Sequence, residues 1–443
     1  MLTAEPNPNA VAFHELAGLS PAARNRLMQR TEGDMTKFLQ GAAPIIEAVR
    51  TEADAALVRF AEAFDGAKIT EATIAATPAE MDAAFDQLDR PLITAMEYAA
   101  DNIRRFHEAQ MPSQMWMKEI RPGVLVGERV SPIDSAALYS PRGKGSFPSM
   151  TLMTAIPAVV AGVPRPVILT PAGPDGQIDP ATLVAARLAG VSDVFKAGGA
   201  VAVAAAAFGT RTVPRCCVFE GPGSPWVIAA KRLLQHHIGS SVSAGPSESI
   251  VLADDSLDPR LIALDLLIES EHGSDSSTFL VTWSRSTALA VQQAVPGLWA
   301  KMSAQRRRFS ADVLCGEKGG IILTDSPAAA YDFINAYAPE HLQIMTKAPF
   351  DHLPFIRNAG EILLGEHAPS SVANYMMGPN AVLPTAGAAK YSSALGVHTF
   401  LKSSSLAHLT ASGLREMAPH THRFATYEGF DAHANAVAPG ARG

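Results

Sequence analysis

The sequence predicts an α/β protein with two parallel-sheet regions, and two observations carry that prediction. Between about residues 137 and 252, short apolar runs alternate with helical stretches, and Gly-containing turns follow several of the runs. After residue 247 the alternation starts again, with 249–252, 279–282 and 320–323 as buried strands. At 443 residues the chain exceeds one ordinary core, so two to four domains are expected.

Taken in order, residues 13–110 read as helical. Apolar residues recur at helical spacing through 45–50 and 55–64, and Phe64-Asp65-Gly66 ends that run. Ala136-Ala137-Leu138-Tyr139 then reads as a strand, leading into the glycine loop at 143–145 and a helix over 150–162. Strands at 167–170 and 193–196 bracket a helix at 180–189, and a further helix follows at 201–208. The turns at 143–145 and at Gly198-Gly199-Ala200 each follow a strand and open a helix. Such turns let backbone amides approach a phosphate, but neither is a GxGxxG, and ordinary tight turns explain them equally well. In the second region Asp258 and Pro259 suit the N-cap and first position of a helix that carries Glu269. The last 25 residues show little apolar periodicity and read as unable to fold alone.

Composition narrows the function classes. Apolar residues are 47%, charged residues 18% and net charge is −7, which argues against nucleic-acid or anionic-membrane partners. The start has no basic segment followed by an apolar core, and the apolar runs are too short or too Pro-broken to span a bilayer. Cys216, Cys217 and Cys315 form no CxxC pair, so neither a disulfide framework nor a thiolate metal site is expected. A cytoplasmic location is expected.

The chemistry sits in three Glu/His groups. Glu269 and His272 stand three apart at the end of an apolar helical run, so both can face one ion, although such pairs also occur on solvated helix faces. Tyr337-Ala338-Pro339-Glu340-His341 puts a carboxylate and an imidazole after a proline, at an expected helix start where Glu340 could also act as a cap. His341 has the right ordinary pKa to shuttle protons. Glu428 and His433 lie in the tail, where His433 alone would read as a surface histidine. Gly245-Pro246-Ser247-Glu248 places a hydroxyl and a carboxylate in a turn before a strand, a pattern that ordinary turn chemistry also explains. His236-His237 and His420-Thr421-His422 lack a nearby carboxylate in a helical frame and are set aside. Together the three groups have the form of a metal-assisted acid/base site.

Put in order, these segments resemble histidinol dehydrogenases. The resemblance covers nearly the whole chain. Its motifs include Tyr139-Ser140-Pro141-Arg142-Gly143, Ala197-Gly198-Gly199-Ala200, Phe219-Glu220-Gly221-Pro222-Gly223, Ala244-Gly245-Pro246-Ser247-Glu248, Glu271-His272-Gly273, Tyr337-Ala338-Pro339-Glu340-His341-Leu342, Gly378-Pro379-Asn380-Ala381-Val382-Leu383-Pro384-Thr385 and 428–433. It implies two Rossmann-like parallel-sheet domains with small helical N- and C-terminal domains, and a tail exchanged in a homodimer. The implied division is an N-terminal helical segment 1–32 packing with 396–417, a first α/β domain of 33–137 and 247–395, a dinucleotide domain 138–246, and a tail 418–443. It also implies Zn²⁺ and NAD as cofactors and oxidation of an alcohol to an acid in two steps. By position, His341 matches the base that takes the hydroxyl proton, and Glu340 the group that activates water in the second oxidation. Glu269, His272, Asn374 and His433 match the zinc set, Ser247, Glu428 and Ala381 the substrate contacts, and Tyr139, Val201 and Ser224 the dinucleotide contacts.

The departures from the family pattern matter. Glu269 stands where the family has glutamine and Asn374 where it has aspartate, so the charge at the metal changes sides; Asn374 or water would be the fourth donor. Ala381 replaces a pocket histidine, and Val201 and Ser224 replace glutamine and asparagine at the cofactor. A pocket lacking its polar partner discriminates poorly for the original ligand. The expected reading is therefore a zinc- and NAD-dependent dehydrogenase of a small polar primary alcohol other than histidinol. A true histidinol dehydrogenase with a rearranged zinc shell is the second reading. A catalytically silent ligand-binding paralogue is the third, and the joint retention of Glu340, His341, His272 and His433 speaks against it.

Overall fold

A computed structural model of the chain describes residues 11–30, 35–142, 145–242 and 244–441. Gly143 and Lys144, in the expected phosphate loop, lie outside the described residues, as does the expected boundary at 32/33.

The strands, in chain order, begin with β1 (Phe13–Glu15), β2 (Met115–Arg121), β3 (Val124–Pro132) and β4 (Ser135–Tyr139). They continue with β5 (Arg165–Thr170), β6 (Val194–Lys196), β7 (Val218–Glu220), β8 (Glu248–Ala253) and β9 (Ser277–Thr282). The last are β10 (Gly319–Leu323), β11 (His341–Met345), β12 (Glu361–Leu364) and β13 (Leu401–Leu409). Two compact units hold them: Met1–Gln110 with Asp134–Phe400, and Met111–Ile133 with Leu401–Gly443.

The first unit contains both parallel sheets, ordered β1-β10-β9-β8-β11-β12 and β6-β5-β4-β7. Central strands such as β9 and β11 are buried along their whole length, as a sheet covered on both faces requires. The crossover helices begin as their residues suggest. Asp179 and Asp258 accept backbone amides at the N-termini of the Pro180–Ala189 and Pro259–Ser270 helices, each with proline at the first turn.

Two expectations about domains need correction. Residues 13–27 are not helical throughout: Pro21–Leu27 is a helix, but it is preceded by a strand. Phe13–Glu15 pairs in parallel with β10 as an edge strand, and Leu16 and Leu27 join the core of that sheet, since the short apolar segment finds open ladder groups there. Nor do residues 36–65 pack on the 247–395 sheet as grouped. Apolar faces of the Thr36–Glu52 and Asp54–Asp65 helices (Ala42, Ile46, Val49, Leu57) share one core with Val167, Leu169 and the Gly199–Phe208 helix on the smaller sheet.

In the second unit β13-β3-β2 form an antiparallel sheet, and the tail is helical over Ala411–Tyr427 and Asp431–Asn435. No strand is expected from sequence over 115–132 or 401–409. Among the described residues, no helix is long and apolar enough to cross a membrane.

Candidate active site

Two cavities of the first unit lie along the carboxyl ends of the smaller sheet's strands, where open α/β sheets bind ligands. One, of about 300 Å³, is bounded by Pro141 and Met150 beyond β4 and by Pro222 beyond β7; its opposite wall is Ser247, Glu269, His272, Glu340, His341 and Asn374. That wall belongs to the amino ends of the larger sheet: Ser247 precedes β8 and His341 opens β11. The expected helix start at Glu340-His341 is thus a strand start. Ala338, in the left-handed region at φ 54°, ends the Pro327–Tyr337 helix, and the chain enters a slot between β8 and β12. Glu340 caps no helix; its Oε2 instead accepts the Glu248 amide at 2.9 Å. Glu269 sits in the last turn of the Pro259–Ser270 helix and His272 two residues beyond its end, and the two still share a face.

Distances within this wall are short. His272 Nδ1 is 2.8 Å from Glu269 Oε2 and 2.8 Å from Ser247 Oγ. Asn374 Nδ2 donates to Glu269 Oε1 at 2.9 Å. His341 Nε2 stands 3.7 Å from Glu340 Oε2 and 4.0 Å from Glu269 Oε2, while its Nδ1 meets Glu361 Oε1 at 2.5 Å. Glu269, Glu340 and His341 are almost fully buried, which makes their charges expensive unless paired. Burial would raise Glu269, but His341, His272 and the Asn374 amide outweigh it and hold its carboxyl at about 2. Burial pushes Glu340 up to about 8, against the pull of His341. Burial would lower His341, and the carboxylates of Glu269, Glu340 and Glu361 reverse that, raising it to about 10.

Among the described residues no three His, Cys, Asp or Glu side chains converge in metal-binding geometry. The residues nonetheless suit zinc. Asn374 Oδ1 is buried without a hydrogen-bond partner, and Glu269 Oε2, beside His272, accepts no well-formed hydrogen bond either. Carboxylate oxygen and imidazole nitrogen are ordinary zinc donors, and the amide oxygen beside them is a weaker one. His433 and Glu428 belong to the second unit, both solvent-exposed: His433 on the Asp431–Asn435 helix, Glu428 at the end of the Ala411–Tyr427 helix. Ala381 lines the cavity and offers it only a methyl group.

The other cavity, of about 400 Å³, is lined by Pro171 after β5, Gly198 and Gly199 after β6, Val201, and Ser224 after β7. Leu57, Phe60 and Trp226 give it apolar walls that suit a flat base. At Gly199 (φ 57°) the space where a Cβ would stand is open, so a ligand can approach the backbone at a helix N-terminus. These residues suit a dinucleotide. Tyr139 is buried under the turn, and its hydroxyl accepts the Gly199 amide at 3.0 Å; burial pushes its pKa up to about 12.

A family profile described as histidinol dehydrogenase matches residues 28–439. The chain belongs to the histidinol dehydrogenase family. It is 55% identical over 427 residues, 96% of each chain, to a protein of Colwellia psychrerythraea called "Histidinol dehydrogenase homolog". It is 47% identical over 423 residues, 96% of this chain and 97% of the relative, to a "Histidinol dehydrogenase" of Synechocystis. The crystal structure of histidinol dehydrogenase from Elizabethkingia anophelis superposes with a TM-score of 0.91 at 30% identity, covering 97% of both chains. The family consists of NAD-dependent oxidoreductases, so the chain is a dehydrogenase.

Three groups here were not anticipated from sequence: Glu361 against His341, Arg306 on the cavity wall, and Asp65 in the second cavity. Asp65 ends an amphipathic helix and Arg306 sits in the basic run 306–308, settings that carry no local signal of a site. Glu361 is brought to His341 by strand pairing across twenty residues, which no local pattern announces.

Proposed function

We propose that this chain is a zinc-dependent, NAD-linked alcohol dehydrogenase that oxidises a small polar primary alcohol through the aldehyde to the acid, with histidinol a poor substrate. One observation carries it: His341 turns Nε2 into a cavity that also holds Glu340, Ser247 and the Glu269/His272/Asn374 group. Zinc held by Glu269, His272 and Asn374 would supply Lewis acidity at the alcohol oxygen, and NAD would supply the hydride acceptor. His341 Nε2 takes the hydroxyl proton as hydride leaves the carbon. Glu340, held by the Glu248 amide and raised toward neutrality, removes a proton from the water that attacks the aldehyde in the second oxidation. Ser247 orients the substrate from beside His272. Ala381 supplies no polar contact for an imidazole ring, which supports an alcohol other than histidinol.

We place the assembly as a homodimer, with Glu428 and His433 donated to the neighbouring site. Support comes from the three-donor zinc group in the first unit and from exposed Phe424, Tyr427 and Phe430 around the tail donors, an apolar display typical of an interface. Zinc-loaded protein should reduce NAD with some member of a panel of amino alcohols, diols and sulfonated alcohols, giving two NADH per alcohol consumed. Turnover of histidinol at roughly 10⁴ M⁻¹s⁻¹ or above would overturn the substrate reading, and no alcohol oxidised across the panel would overturn the activity.

A further inference from the structure

We infer that Glu361 is a positioning residue that sets which nitrogen of His341 carries the proton; the inference rests on His341 being the base of the dehydrogenase reading. Strands β11 and β12 run parallel in register, with His341 opposite Glu361. Residues so paired project from the same face of a sheet. The result is the contact between His341 Nδ1 and Glu361 Oε1 at 2.5 Å, with both side chains nearly buried.

The proton arrangement follows from what surrounds the ring. A carboxylate only accepts, so the Nδ1 facing Glu361 is the donor, and a neutral ring then presents a bare lone pair at Nε2. The opposite side pulls the other way. Glu340 Oε2 at 3.7 Å and Glu269 Oε2 at 4.0 Å would both favour a proton on Nε2, which would block that nitrogen as a base. Neither is within hydrogen-bond range, whereas Glu361 is. The proximity of Glu361 therefore decides a contest between carboxylates on two sides of one imidazole. Glu361 is not among the residues lining the substrate cavity. It borders a separate cavity, with Phe106, Gln110 and Asn380, and so acts only through His341.

The test uses the zinc-loaded protein with Glu361→Ala and Glu361→Asp. Imidazole ¹⁵N–¹H spectra recorded above pH 10, where the ring is neutral, with the His341 signal assigned by its loss in His341→Ala, should show protonated Nδ1 and bare Nε2 in the parent protein. In Glu361→Ala the proton should move to Nε2. On the best alcohol found, kcat should fall roughly 10–100-fold, as for loss of the carboxylate partner of a functional histidine. KM and zinc content should hold, and Glu361→Asp should recover part of the rate. An unchanged His341 signal in Glu361→Ala overturns the inference, as does an unchanged kcat. So does a loss of rate that tracks loss of zinc or of folded protein, which marks a merely structural contact. The spectra need no substrate, so they decide the role of Glu361 even if every alcohol fails and the activity reading falls.

Discussion

Exchanging Glu269 and Asn374 tests the charge arrangement at the proposed metal group. In the parent protein one buried carboxylate accepts a hydrogen bond from one amide at 2.9 Å. Asn374→Asp alone would set two carboxylates about that far apart. At an effective dielectric of 20 their repulsion is about 6 kcal/mol, an upper figure because one carboxyl can take up a proton instead. Glu269→Gln alone leaves two amides able to bond but removes the charge facing His272 at 2.8 Å and His341 at 4.0 Å. The double variant restores one carboxylate and one amide with the charge on the other side. Metal-free protein, prepared with a chelator, should therefore be destabilised by several kcal/mol in Asn374→Asp. The double variant should regain most of that loss, giving a coupling of at least about 2 kcal/mol between the two changes. Zinc titration against a competing indicator should show Glu269→Gln binding roughly 10–100-fold more weakly and the double variant recovering most of that loss. Unfolding curves and zinc affinities in which the two changes simply add would refute the pairing.

Three further outcomes are expected. His341→Ala should cost roughly 10²–10⁴-fold in turnover with bound zinc unchanged by metal analysis; retained turnover would remove His341 as the base. Asp265 is buried against Gln343, and burial pushes its carboxyl up to about 6 from an ordinary 3.8, so the stability tied to its neutral form is complete below pH 4 and is lost as pH rises through 6. Asp265→Asn should abolish that loss, gaining roughly 3 kcal/mol over the parent at pH 8 and nothing at pH 4, as read by denaturant unfolding at the two pH values. Mixing His341→Ala with His433→Ala subunits should restore activity if one hybrid site regains both groups; no recovery after proven subunit exchange would mean that each site is built within one chain.

Much of the first unit was readable because its signals are local. Asp258-Pro259 announced a helix start, Gly66 a helix end, and the three-residue spacing of Glu269 and His272 survived even though His272 lies beyond the helix. The errors arose where distant pairing overrode local preference. Pro339 suggested a helix start at Glu340-His341, yet the left-handed Ala338 and two waiting neighbour strands make that segment β11. The exposed β2 is held by β3, which pairs on its other side with β13, nearly three hundred residues along, so Met115–Arg121 carried no one-sided burial pattern to read. At the site, Glu269, His272, Glu340 and His341 stand out by chemistry and spacing of their own, whereas Asn374, Ala381, Tyr139, Val201 and Ser224 are found only through the family resemblance. The one that sequence reasoning missed beside His341 owes its place wholly to strand register.

Arg30 reaches from near the beginning of the chain into the floor below the proposed catalytic pair, Glu340 and His341. Its guanidinium lies 3.4 Å above the Tyr337 ring, donates to the Tyr337 carbonyl at 2.8 Å and bonds Glu248 at 2.7 Å. Glu248 is the residue whose amide holds Glu340. The two ends of this connection are more than three hundred positions apart in the chain. Among the described residues, proteolytic trimming past Arg30 would remove an edge strand, a short helix and the core residues Leu16 and Leu27, and it would also strip a buried carboxylate of its guanidinium next to the proposed water-activating group. On the proposed reading, such a shortened chain should be weaker in the second oxidation than in the first.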